Sequence, residues 1–293
     1  MSKTKIAIVT GSNKGIGLAI VKQLCKKFDG KVYLTSRDET RGKEAVAALE
    51  KLGLRPLYHQ LDIDCMDSIR EFRKYLEQTH GGIDILINNA AMAYKNNAKE
   101  PFGEQARNTV RVNYFGTLNV CRELFPLLRK HARVVHLSSY AGHLLKIQGI
   151  EPEASELRHQ FSSPDATEAS ISNLANVFIS KAQAGTHLDY GWPDSTYIVS
   201  KVAVAALGPI HQKLLDKKRP NDDIIVNIVN PGYVDTDMTS HKGFLTVDEG
   251  AACPVYLALL PPHTKSPRGS FVDTDKSIVD WIHGPVPTPV PSK

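Results

Sequence analysis

The chain has 293 residues, 42% apolar and 23% charged, which excludes intrinsic disorder and a collagen-like chain and leaves ample length for a buried core. Lys and Arg (36) outnumber Asp and Glu (31) by only five. The basic residues form no stripe beside a reading element, which excludes a nucleic-acid footprint; Lys26-Lys27 and Lys217-Lys218-Arg219 read as solvated helix ends.

Residues 6–9 (IAIV) read as a buried strand, and 15–28 as a helix in which Ile16, Ile20, Leu24 and Phe28 recur every fourth position. A strand at 32–34, a helix at 40–52, a weaker strand at 56–60 and a helix at 66–79 follow. Next come a strand at 83–87, two helical stretches within 101–129 and a strand at 134–137. A helix at about 195–218, a strand at 224–229, a helix at 246–259 and a short strand near 271–272 close the pattern. Short strands alternating with helices imply an α/β fold: a Rossmann-type doubly wound parallel sheet of about seven strands, with helices on both faces. The strands read as unbroken apolar runs because such a sheet is buried on both sides.

Two segments interrupt the rhythm. Residues 143–190 are polar and helical where a short loop is expected; within them Ile171, Leu174, Phe178 and Lys181 keep helical spacing and Gly185 is placed as a stop. Residues 284–293 (GPVPTPVPSK) alternate proline, which blocks helix and sheet and predicts an extended tail. Cys25, Cys65, Cys121 and Cys253 form no CxxC pair, and each is read as a small core residue. No HExxH or other metal-ligand spacing occurs among the eleven histidines; His59, His136 and His211 are read as packed or surface residues and no metal is expected. The start, MSKTKIAIVTG, has no long apolar stretch, and the longest apolar run, 251–260, is half of what a membrane span needs, so the expected location is the cytoplasm.

Residues 10–17 (TGSNKGIG) link the first strand to the first helix. Gly11 allows the tight turn, Gly15 the approach of backbone to a pyrophosphate, and Gly17 close packing of helix on strand. The helix N-terminus offers free N–H groups to the anion. At the end of the second strand, where NAD sites usually carry an acid, stand Ser36 and Arg37, and Lys14 adds a cation from the loop. Two cations beside a neutral side chain fit the 2′-phosphate of NADP(H), although Asp38 opposes this and both could be solvated surface charges. Tyr197 and Lys201 are one helical turn apart, so phenol and ammonium can meet one ligand. Ser138-Ser139 ends one predicted strand and Asn88-Asn89-Ala90-Ala91 another, at the carboxyl edge where open α/β sheets bind ligands. Asn113 sits in a helical stretch, where an amide needs a partner.

TGSNKGIG, NNAA, the Asn of VNYFGT, Ser139, YIVSK and PGYVDTDM, in this order over residues 5–275, resemble the short-chain dehydrogenase/reductase superfamily, and GSNKGIGLAIV, HQLDID and residues 253–262 resemble its monomeric animal carbonyl reductases. The resemblance implies a catalytic tetrad of Asn113, Ser139, Tyr197 and Lys201. Ser139 would polarise the substrate carbonyl, Tyr197 donate the proton, Lys201 hold the nicotinamide ribose and lower the tyrosine pKa, and Asn113 position a water behind Lys201. For the cofactor, NADP(H), it implies Gly11, Asn13, Lys14, Gly15, Ile16, Gly17 and Arg37, with Asp62 and Ile63 beside adenine, Asn89 at the ribose and Val234, Asp235 and Thr236 at the carboxamide. Tyr94, Lys95 and Gln105 match a region that lines the substrate pocket, or are ordinary loop residues, and Tyr233 borders that pocket. Ala91 departs from the glycine of the family motif, and Asn230, Tyr233 and Asp235 stand where the related reductases often have Cys, Trp and Arg. The expected activity is NADPH-dependent reduction of aldehydes, ketones or quinones; the alternatives are an oxidative NADP-dependent alcohol dehydrogenase and a non-catalytic NADP(H)-binding regulator.

These residues decide the domain count. Ser139 and Tyr197, 58 positions apart, flank 143–190 yet serve one site, so 1–283 is expected to be a single catalytic domain with a helical insertion at about 143–190, followed by the 284–293 tail. The insertion's amphipathic helix would cover the surface that elsewhere in the superfamily packs against a partner subunit, so a monomer is expected, with a small-molecule carbonyl substrate as partner and neither nucleic acid nor membrane.

Overall fold

The structure, a computed structural model, describes residues 4–288. Its strands are β1 (Ile6–Val9), β2 (Lys31–Ser36), β3 (Leu57–Gln60), β4 (Ile83–Asn88), β5 (Leu128–Leu137), β6 (Ile225–Val229), β7 (Phe271–Val272) and β8 (Ile278–Val279). They form one sheet in the order β3-β2-β1-β4-β5-β6-β7-β8, parallel except for the antiparallel β7–β8 pair. The seven expected strands correspond to β1–β7, and β8 is additional: unlike the equally short but buried β7, its Ile278 is exposed and Val279 only half-buried, so no buried apolar run marks it. The helix expected to reach residue 129 instead gives way to β5 at Leu128, which pairs with Ile83 before the register shifts.

The helices are α1 (Gly15–Lys27), α2 (Glu39–Glu50), α3 (Met66–His80), α4 (Phe102–Val110), α5 (Thr117–Leu124), α6 (Glu153–Ser162), α7 (Glu168–Gln183), α8 (Thr196–Lys218) and α9 (Val247–Ala258). Ile20 and Leu24 of α1, Leu49 of α2 and Leu257 of α9 pack with Ala7 and Val9, whereas Phe72 and Leu76 of α3 and Val120 and Leu124 of α5 pack with Ile6 and Ile8. Alternate residues of β1 therefore serve two cores, which is the reason that the strand reads as one apolar run. Cys65, expected in the core, is exposed: it precedes the first turn of α3 and lies off the buried stripe of Ile69, Phe72 and Leu76.

The segment 143–190 holds α6 and α7. A capping box between Thr167 and Ser170 starts α7. Ile171, Leu174 and Phe178 are buried in one cluster with Phe161, Trp192, Ala106 and Val110 of α4, and Val199 and Val202 of α8. Lys181, on the same stripe, lays its ammonium 3.5 Å from the centroid of Tyr190. No helix or strand forms in 284–288, and the remainder of the expected tail, 289–293, lies outside the described residues. Among the described residues no helix is long and apolar enough to cross a membrane.

Strand order reverses between β1 and β4, so the loops that follow these strands part and leave a crevice at the carboxyl edge of the sheet.

Candidate active site

The glycine loop lines this crevice. Gly11 has φ +58°, and a Cβ there would lie 2.8 Å from Cα of Ala90. A Cβ on Gly17 would lie 2.5 Å from Nδ2 of Asn89 and 2.8 Å from Cα of Ser12, so only glycine lets α1 start this close to β4. Asn89, expected at a ribose, uses its amide to clamp the loop: Nδ2 donates to the carbonyls of Thr10 and Gly11, each at 2.9 Å. Thr10 completes the clamp, its Oγ1 accepting from the backbone N–H groups of Asn89 and Ala90 at 3.0 Å. The first turn of α1 has no acidic residue, and Lys14, its N-cap, makes no side-chain cap, so the positive end of the helix is unopposed.

Lys14 and Arg37 are exposed at the rim. Lys14 Nζ binds Asp237 Oδ2 at 2.6 Å, and the Arg37 carbonyl accepts from Gln60 Nε2 at 3.1 Å. Asp62 caps its own turn, Oδ1 accepting from the Asp64 N–H at 3.0 Å, and Ile63 is buried against Gly116. Val234 is buried, and Thr236 Cγ2 would be 3.5 Å from a Cβ on Gly15, which sets residues 234–236 opposite the glycine loop. Asp235 accepts from, or is paired with, His241 Nδ1 at 2.7 Å.

Ser139, at the end of β5, is buried in extended backbone, and its Oγ accepts from the Ala141 N–H at 3.2 Å. Tyr197 and Lys201 lie in the first two turns of α8, which Ser195 caps by accepting from the Ile198 N–H. Burial pushes the Tyr197 phenol up to about 12, and the hydrogen bond with the Ser139 hydroxyl works against that rise. Lys201 is buried, its Nζ donates to the Leu137 carbonyl at 2.8 Å and stands 5.7 Å from the Tyr197 ring centroid, and burial lowers it to about 8. Desolvation is the largest influence on the phenol. Asn113 occupies a π-helical turn, Arg111–Gly116, between α4 and α5. That widened turn lets its amide leave the helix: Oδ1 accepts from the Met92 N–H at 2.8 Å, and Nδ2 donates to the Met92 carbonyl at 2.9 Å and to Ser200 Oγ at 3.0 Å.

The pocket-side residues divide. Met238 Sδ lies 4.0 Å from the Tyr197 hydroxyl, a contact the sequence did not flag although an isolated Met in the polar run 235–243 is its signal. Tyr233 packs edge-on against Phe244 at 5.5 Å. Tyr94 accepts from Asn108 Nδ2 at 2.8 Å. Lys95 binds the segment beyond β6: its Nζ bonds Ser240 Oγ at 2.9 Å and the carbonyls of Asp237 and Met238, tying that segment down. Gln105 gives its amide to the Glu100 carbonyl at 2.8 Å.

A family model described as short chain dehydrogenase matches residues 5–153. Carbonyl reductase (NADPH) 1 of Homo sapiens is 45% identical over 276 residues, covering 94% of this chain and 98% of that protein. The chain belongs to the short-chain dehydrogenase family. Carbonyl reductase (NADPH) 3 of Rattus norvegicus is a similar relative, 44% identical over 280 residues with 96% and 99% coverage. Among solved structures, salutaridine reductase from Papaver somniferum superposes with a TM-score of 0.79 at 29% identity, covering 91% of this chain and 99% of that one. Menthone neomenthol reductase from Mentha piperita gives 0.74 at 29%, with 93% and 99% covered. For a short-chain dehydrogenase the order of the parts is now fixed in space: glycine loop after β1, Asn89 after β4, Ser139 after β5, Tyr197 and Lys201 on α8, all at one edge of one sheet.

Proposed function

We propose that the protein is an NADPH-dependent carbonyl reductase that converts aldehydes, ketones or quinones to alcohols or hydroquinones. The observation that carries this reading is the convergence of Ser139, Tyr197 and Lys201 beside the clamped glycine loop, in a chain about 45% identical to the carbonyl reductases over nearly its whole length. The loop fits a dinucleotide: its backbone is stripped of side chains at Gly11 and Gly17, the positive end of α1 lacks an acidic neighbour, and Lys14 and Arg37 stand at the rim where a 2′-phosphate would add charge. Asn13 and Ile16 would meet the cofactor by backbone, Asp62 and Ile63 its adenine, Asn89 and Lys201 its riboses, and residues 234–236 its carboxamide. When bound, NADPH supplies the hydride that adds to the carbonyl carbon.

The chain's own residues do the rest. The Ser139 hydroxyl donates to the substrate oxygen and holds it against the phenol. Tyr197, raised to about 12, keeps its proton throughout the neutral range and passes it to that oxygen as negative charge grows there. Lys201 places a buried ammonium behind the phenol and favours the phenolate left by the transfer. Asn113, through Met92 and Ser200, fixes the backbone of the β4 loop and the face of α8 behind Lys201. Met238 and Tyr233 border the place where the carbonyl compound sits.

The same reading makes residues 1–283 one catalytic unit and the chain a monomer, supported by the buried face that α7 presents to α4 and α8. Light scattering at micromolar concentration tests the monomer; a stable dimer overturns it. The activity is tested by NADPH consumption with a panel of quinones, aldehydes and α-dicarbonyls. Turnover with at least one class, and preference for NADPH over NADH, is expected; tight NADPH binding without turnover across the panel refutes the assignment.

A further inference from the structure

A second chemical cluster lies in the core, away from the crevice. Cys121 of α5, His136 of β5 and His211 of α8 are all fully buried, and one donor atom of each lies within 4.8 Å of the other two. His136 Nε2 and His211 Nδ1 stand 3.2 Å apart. Two nitrogens bound at ~2.0–2.1 Å to one ion are separated by about 3.3–3.6 Å, so the rings need little movement to share a metal. The outer nitrogen of His211 faces Glu168 Oε1 at 3.1 Å, and Glu168 Oε2 accepts from Arg122 Nε at 2.8 Å. A carboxylate on the outer nitrogen of a ligating imidazole fixes the ring and raises its basicity, and it is the usual companion of such a ligand. Asn88 Nδ2 lies 3.1 Å from His136 Nδ1 and 3.4 Å from Cys121 Sγ, which closes the cluster on its other side.

We propose that Cys121, His136 and His211 form a buried thiolate–bis-imidazole site for monovalent copper. Donor number and charge choose the ion. Structural zinc takes four donors in nearly every case, whereas a trigonal set of two imidazoles and one thiolate suits copper, and the soft thiolate favours its monovalent state. One thiolate neutralises Cu(I), so the core receives no net charge, while Glu168 remains matched to Arg122. Binding replaces the Cys121 thiol proton, which leaves to solvent, by a copper–sulfur bond. His211 already carries its proton toward Glu168 and offers the inner lone pair. The proton on His136 moves to Nδ1, where the Asn88 amide, turned over, accepts it. No oxidation state changes. The ion would join α5, β5 and α8 and, through Glu168, the insertion helix α7.

The test loads the full chain with one equivalent of Cu(I) under reducing, anaerobic conditions, removes loose ion by gel filtration against a weak chelator, and measures retained copper and its X-ray absorption. About one equivalent with one sulfur and two nitrogen neighbours, and a raised Tm, is expected. Cys65→Ser should retain the ion, because that exposed thiol is separate; Cys121→Ala and His136→Asn should each lose at least tenfold in retention. His136→Asn keeps an amide at the position should Cys121→Ala fold poorly. The proposal is overturned if the wild-type chain retains no copper, if Cys121→Ala and His136→Asn retain as much as wild type, or if Zn(II) is held in preference to Cu(I).

Discussion

Lys201 stores free energy that a single substitution should release. Burial lowers its pKa from 10.5 to about 8, and at ~1.4 kcal/mol per pH unit the charged form costs the fold about 3 kcal/mol. The sign follows from proton binding. Above 10.5 the amine is neutral folded or unfolded and costs nothing; as pH falls from 10.5 to 8 only the unfolded chain takes up the proton, so stability drops, and below 8 the full penalty persists. Lys201→Met keeps the length of the chain and removes the charge, and loses the hydrogen bond to the Leu137 carbonyl, worth about 1 kcal/mol. The variant should therefore be more stable than wild type by about 2 kcal/mol at pH 7, with the margin shrinking by ~1.4 kcal/mol per unit above pH 8 and gone near pH 10. Tyr197, raised to about 12, loses its stabilising contribution only above its ordinary value of 10, so it does not enter the difference between pH 7 and 10. Urea unfolding without NADPH at pH 7, 8, 9 and 10 reads the effect directly. A margin independent of pH, or a variant less stable than wild type at pH 7, would refute the idea that this lysine is a strained buried cation. Carbonyl reduction by the variant should fall by more than tenfold, so stability and activity move in opposite directions.

Tyr197→Phe should lower turnover by ~10²–10⁴, or about 3–5.5 kcal/mol of transition-state stabilisation, with NADPH affinity within a few-fold of wild type by fluorescence titration; near-normal turnover would remove the proposed acid. Arg37→Ala should cut the ratio of kcat/KM for NADPH over NADH by about tenfold or more, as expected for a charge-assisted bond worth ~1.5–3 kcal/mol, and an unchanged ratio would mean that Arg37 is a surface charge only. Phe178→Ala should cost ~3–5 kcal/mol by thermal or urea unfolding, because its ring is fully buried between α7 and Trp192; a loss under 1 kcal/mol would mean that the insertion adds little to the fold.

How much of this was legible in the sequence depended on the range of the interaction. The strands of the sheet and the helices between them follow from local runs, and the glycine loop from local turn chemistry, so their places were readable. Strand ends and helix periodicity put Ser138-Ser139 at the carboxyl edge and Tyr197 and Lys201 on one helix face, but the choice of Ser139 over Ser138 and the roles of all three came from the resemblance to the family. The rest depends on partners far along the chain. Asn113 was identified, but not the π-helical turn that lets its amide reach Met92 and Ser200. The second task of Asn89 needs Thr10, 79 positions earlier. Lys95 looked like a pocket residue, and its capture by Ser240, 145 positions later, exists only in the folded chain. The convergence of Cys121, His136 and His211 follows no spacing rule at all, since it is created by three elements crossing.

That crossing also explains what sets the distance between serine and tyrosine. No member of the tetrad is rigid by itself; the seam between β5 and α8 makes it so. Ser138 Oγ donates to the Lys201 carbonyl at 3.0 Å, Lys201 Nζ returns a bond to the Leu137 carbonyl at 2.8 Å, and His136 and His211 meet at 3.2 Å nearly three turns further along α8. Gly142 closes the upper end, since a Cβ there would lie 2.0 Å from Ser138 Oγ and 2.7 Å from the Lys201 carbonyl. Polar bonds are worth about 1 kcal/mol each, but a hydroxyl or imidazole left without its partner at this depth costs ~1–3 kcal/mol, so the register with every bond made is separated from its neighbours by more than any one bond is worth. The adjacent serines thus divide the labour: Ser138 fixes the backbone of β5 to α8, which leaves Ser139 free to face the Tyr197 phenol.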